Sequence, residues 1–156
     1  GHYKHKHFNL FPSTVLHLDT IDLEKTILAE GDLHPENVCI ELSGQQIIGD
    51  PAHLEKAVQG IKNTGVKFAL DDIGFGRSSL ESLLVLEPDV VKIDKKCIMN
   101  LSEDKARLRL FRRLLKVLQS LKTDIVAEGI ETKDDLEVLL DHGVMYGQGF
   151  YLGKPA

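Results

Sequence analysis

Six short apolar runs punctuate this chain, and a helix-length stretch separates each from the next. They are Phe8–Phe11, Val38–Leu42, Val66–Asp71, Val90–Asp94, Ile125–Gly129 and Val144–Gly149. Strands that are apolar on both faces need cover on both faces, which a parallel sheet with helical crossovers supplies. Those crossovers are right-handed, so the alternation predicts an α/β sheet or barrel. Each run also carries one polar residue at or near its C-terminal end: Asn9, Glu41, Asp71, Lys92, Glu128 and Gln148. In parallel α/β folds these ends share one face, and active sites are built there.

The intervening stretches read as helices. Pro12 opens one with broken apolar periodicity to about Ala29, and Asp50-Pro51 opens another that buries Leu54, Ala57, Val58 and Ile61. A short helix from Ser78 turns Leu80, Leu83 and Leu84 inward. A long one, from about Ser102 to Leu121, buries Leu108, Phe111, Leu114, Leu115 and Leu118. Its Arg107, Arg109, Arg112, Arg113 and Lys116 read as a solvated basic face. Thr132 caps the last helix, with Leu136, Leu139 and Leu140 inward.

With 156 residues the chain reads as one domain. A net charge of −5 argues against a nonspecific DNA binder. Cys39 and Cys97 lack zinc-site spacing and read as buried free thiols of a reducing compartment, so the expected location is cytoplasmic. No apolar run reaches membrane-spanning length, and the polar N-terminus does not resemble a signal peptide. Residues 1–7 read as a tag or linker remnant, whose alternating histidines have no acidic or cysteine partner nearby in sequence.

The chemistry concentrates in Phe68-Ala69-Leu70-Asp71-Asp72-Ile73-Gly74-Phe75-Gly76. Two adjacent carboxylates at the end of a buried strand repel each other and lose hydration unless something positive compensates. One reading makes Asp71 a strand cap and Asp72 a loop N-cap. The other makes them ligands of a hard divalent cation. The other polar strand ends favour the second, because together they describe an oxygen-rich cup with one lysine in it. Such a cup suits metal-dependent phosphoester hydrolysis. The rival enzyme is a barrel aldolase or decarboxylase with Lys92 as a Schiff base.

Several segments resemble the EAL-domain family of bacterial cyclic di-GMP phosphodiesterases, which have a TIM-like barrel. They are Phe8-Asn9-Leu10, Ile40-Glu41-Leu42-Ser43, Leu70–Leu80, Asp89-Val90-Val91-Lys92-Ile93-Asp94, Ala127–Thr132 and Gln148-Gly149 with Gly153-Lys154-Pro155. They occur in the family's order over residues 8–156, the span assigned to a partial EAL domain. The resemblance implies that Asn9, Glu41 and Asp71 bind a first Mg²⁺ or Mn²⁺, and that Asp72 serves a second. It implies that Lys92 contacts the attacking water, with Glu128 near the second metal and Gln148 in the same water network. The implied reaction opens cyclic di-GMP to linear pGpG.

Three departures accompany the resemblance. The family's Glu-Ala-Leu strand does not precede Asn9 here, so the barrel is expected to be incomplete, with its early strands missing. Gly44 stands where the family usually has a glutamate that supports the loop after the aspartate pair. In that loop Phe75 and Arg77 stand where Thr and Tyr are usual. These changes are expected to leave the truncated chain inactive. The alternative is a degenerate EAL domain that binds cyclic di-GMP or docks a protein. An open barrel edge further predicts a homodimer or swapped oligomer.

Overall fold

The computed structural model describes residues 6–29, 33–144 and 146–147. They form one six-stranded sheet, all parallel and in sequential order. Its strands are β1 (Lys6–Asn9), β2 (Val38–Ser43), β3 (Lys67–Ile73), β4 (Val90–Ile93), β5 (Asp124–Ala127) and β6 (Tyr146–Gly147). The helices are α1 (Pro12–Leu16), α2 (Thr20–Ala29), α3 (Ala52–Asn63), α4 (Arg77–Leu86), α5 (Lys95–Ile98), α6 (Lys105–Ser120) and α7 (Lys133–Asp141). Five consecutive parallel pairings, each with a helical connection, give the α/β architecture expected of a barrel wall.

Strand alternation divides the sheet into two unequal faces. Ile40, Leu42, Phe68, Leu70, Val91 and Ile93 belong to a continuous core shared with Leu54, Ile61, Leu83, Phe111 and Leu118 of the helices. Cys39, Ala69, Val90 and Val126 form a small cluster of their own on the opposite face. Two residues further along each of these four strands stand Glu41, Asp71, Lys92 and Glu128. The inner face is therefore apolar at its base and charged at its mouth.

The side-chain caps follow the sequence. Asp50 accepts a hydrogen bond from Ala52 N at 2.9 Å. Asp104 accepts one from Arg107 N at 3.1 Å, and Thr132 one from Asp135 N at 3.1 Å. Both cysteines are buried thiols. Among the described residues no helix is long and apolar enough to cross a membrane.

Several sequence expectations need correction. The helix expected over 12–29 is two helices, broken at His17–Asp19, where His17 N returns to Thr14 O at 3.2 Å. The long helix starts at Lys105, not Ser102, and short α5 precedes it, with Asp94 capping α5 instead of ending β4. Leu80, Leu84 and Leu140 face solvent at 36%, 59% and 56% exposure, and Leu108 is half-buried. Leu86 takes the inward place on α4 instead, on a buried stripe with Ser82 and Leu83. The last run is a strand at Tyr146–Gly147, and Gln148 lies outside the described residues.

Candidate metal centre

The aspartate pair depends on a register irregularity in β3. Leu70 pairs with Val91 and Ile73 with Ile93, so β3 spends three steps where β4 spends two. The additional residue is accommodated at Asp72, whose φ is +55°. Asp is among the few residues that enter this left-handed region readily, because its short side chain bonds locally. In a regular strand Asp71 and Asp72 would point to opposite faces. The bulge brings their carboxylates together and returns Ile73 to the helix-covered core.

Glu128 comes from the turn after β5, its N–H bonded to Ile93 O at 3.3 Å. Gly129 beside it has φ +75°, and a Cβ there would sit 2.2 Å from the Lys95 Cβ. Only glycine lets the chain turn this close to α5, and that turn sets where Glu128 stands. The carboxylate oxygens of Asp71, Asp72 and Glu128 lie within 4.8 Å of one another. Ser43 Oγ donates to Asp72 Oδ2 at 3.2 Å, and Asp72 N donates to Asp71 Oδ1 at 2.8 Å.

Burial and mutual repulsion mark this trio. Burial, reinforced by the charge of Asp71 and a hydrogen bond with it, pushes Glu128 up to about 7. Burial likewise raises Asp71, and the Asp72 and Glu41 charges add to the shift although the Asp72 N–H opposes it. Glu41 is treated differently. It is 2% exposed, and its Oε1 receives Lys92 Nζ at 2.5 Å and lies 2.6 Å from His7 Nδ1. Burial alone would raise Glu41, but hydrogen bonds from His7 and Lys92 bring it below the usual carboxylate range. Burial would lower Lys92, yet its bond to Glu41 and the charges of Glu41, Asp71 and Glu128 raise it, so it stays an ammonium.

The candidates thus fall into two subsets. Asp71, Asp72 and Glu128 converge as a carboxylate trio. Glu41, on β2, is gripped by Lys92, which reaches across β3 from β4. Asn9 ends β1, pairs in register with Glu41 and is exposed. Among the described residues the polar strand ends do not form one row: Glu41 is level with Ala69, and Lys92 with Val126, each two residues short of a trio member. His7 escaped the sequence reading. Its partner is 34 residues away, and only the pairing of β1 with β2 brings them together.

The trio fits a divalent cation. It offers hard oxygen ligands. The raised proton affinities of Asp71 and Glu128 express an excess of negative charge that a cation would relieve. Behind it, Gly44 is buried, and a Cβ there would stand 2.9 Å from Ile73 Cδ1. The Ile73 side chain fills the space that a longer residue at 44 would enter. Phe75 and Arg77 begin the following loop and α4, where Gly74 N donates to Ser79 Oγ at 3.3 Å.

The EAL domain family model matches residues 1–155. The chain belongs to the EAL domain family. A probable cyclic di-GMP phosphodiesterase PdeB of Escherichia coli is 34% identical over 122 residues, covering 78% of this chain and 23% of the relative. The cyclic di-GMP phosphodiesterase PdeA of Borreliella burgdorferi is 29% identical over 135 residues, covering 86% of this chain and 20% of its own length. The EAL domain of Mycobacterium smegmatis DcpA superposes with a TM-score of 0.84 at 30% identity, over 96% of this chain and 67% of that one. Klebsiella pneumoniae BlrP1, in a manganese/cyclic di-GMP complex, superposes with a TM-score of 0.83 at 29% identity, over 94% and 38%. This EAL chain spans about a fifth of the length of the curated relatives it matches.

Proposed function

We propose that this chain contributes the later half of a cyclic di-GMP phosphodiesterase site, with Asp71, Asp72 and Glu128 holding Mg²⁺ or Mn²⁺ and Glu41 and Asn9 completing the ligand set. The observation that carries the reading is the carboxylate trio within 4.8 Å, beside a lysine already neutralised by Glu41. Bound metal would supply Lewis-acid activation of a water and charge relief at a phosphodiester. The chain's own residues do the rest. Lys92, kept as an ammonium, offers N–H donors toward the developing negative charge of the phosphate. Glu128, pushed up to about 7 in the metal-free fold, would give up its proton as the cation binds. Gln148 is proposed for the same water network.

The reaction would be hydrolysis of one phosphodiester of cyclic di-GMP to give pGpG. For the 156-residue chain alone we expect slow turnover or none, because among the described residues β1 and β6 are the outer strands of a sheet that does not close. A second reading, a domain that binds the nucleotide without cutting it, draws on Ile73 filling the space beside Gly44. With glycine at 44, Phe75 and Arg77 lack the glutamate that the family resemblance implies as support for their loop. Incubation with cyclic di-GMP and Mn²⁺, followed by chromatography for pGpG, tests the pair. Rapid product formation by this chain contradicts the expected inactivity. Nucleotide binding without product favours the second reading.

A further inference from the structure

We propose that His7 is a positioning residue for Glu41, fixing its carboxylate for the divalent-cation site. The inference rests on the reading of Glu41 as a metal ligand. His7 lies on β1, in register with Cys39, and Cys39 precedes Glu41 by two residues on the inner face of β2. Its Nδ1 is 2.6 Å from Glu41 Oε1, with the side chains 25% and 2% exposed. An ionised carboxylate only accepts hydrogen bonds, so Nδ1 carries the proton in this contact.

The two donors approach Glu41 from opposite sides. Lys92 reaches it from β4, across β3, while His7 stands on β1, the other neighbour of β2. A flexible ammonium alone fixes one point of a carboxylate and draws it toward its own strand. The rigid imidazole opposes that pull and holds the oxygen in a defined place. Without His7 an arriving cation must take Glu41 from Lys92 with nothing restraining the carboxylate. Hydrogen-bond partners of ligating groups typically govern affinity by 10- to 100-fold.

The test is Mn²⁺ affinity of the whole chain, measured by calorimetry alongside the melting temperature of each variant. His7→Ala is expected to bind Mn²⁺ about 10- to 100-fold more weakly. His7→Asn, whose side-chain N–H can occupy the Nδ1 position, is expected to recover most of the affinity. His7→Gln, whose amide falls nearer the Nε2 position, is expected not to. If His7→Ala fails to fold, the Asn and Gln variants decide. Equal affinity in the Asn and Gln variants, or wild-type affinity in His7→Ala, overturns the role of His7. Failure of the wild-type chain to bind Mn²⁺ overturns the metal-centre reading and this inference together, and is thereby distinguishable.

Discussion

Two glutamates on one inner face titrate in opposite directions, and the difference lies in what each side chain meets. Glu128, raised from 4.5 to about 7 by burial and by Asp71, favours its protonated form in the fold. Its contribution to stability is full below its unfolded pKa and is lost as pH rises through about 7. Glu41, lowered by His7 and Lys92 against the effect of burial, contributes above its ordinary value of 4.5 and loses that as pH falls. Between about pH 5 and 8, metal-free protein should therefore lose melting temperature more steeply as wild type than as Glu128→Gln. Identical slopes in thermal melts would contradict the assignment. Gly129→Ala should cost about 2–5 kcal/mol by chemical denaturation, since it combines left-handed strain with a clash against Lys95. Both carboxylates were legible in the sequence as polar ends of apolar strands. The role of His7 was not, because a histidine in a polar stub acquires meaning only when β1 pairs with β2.

At the scale of elements, the apolar rhythm indicated the strands of the described sheet and the principal helices, although β1 starts at Lys6, two residues before the first apolar run. It was insufficient where periodicity continues across a break, as at His17–Asp19, or where leucines decorate a helix on more than one side, as at Leu84 and Leu140. The β3 bulge left only an indirect trace, a second Asp where a regular strand would place an outward apolar residue. Asp135 was also passed over as an ordinary polar helix residue. It is 3% exposed and accepts hydrogen bonds from Asn100 N at 3.2 Å and Ser102 N at 3.0 Å, tying α7 to the turn before α6. Asp135→Ala should strand two backbone donors and destabilise the fold by about 2–4 kcal/mol in urea titration. A change below about 0.5 kcal/mol would show that water replaces the carboxylate freely.

At the scale of the whole molecule, the linear order of the sheet among the described residues makes β1 and β6 its outer strands, and Phe8 on β1 is 39% exposed. Outer strands of this kind invite pairing with another chain. The 156-residue chain should therefore associate with itself at micromolar concentration, and light scattering that finds only monomer would contradict this. The bulge in β3 and the turn at Gly129 bring together the carboxylates of the proposed divalent-cation site. Calorimetric titration of the metal-free chain with Mn²⁺, above the pKa of Glu128, tests it directly by comparing wild type with Asp71→Asn. Saturable binding is expected in wild type and at least about tenfold weaker binding in the variant. No binding by wild type, or equal binding by both, would contradict it.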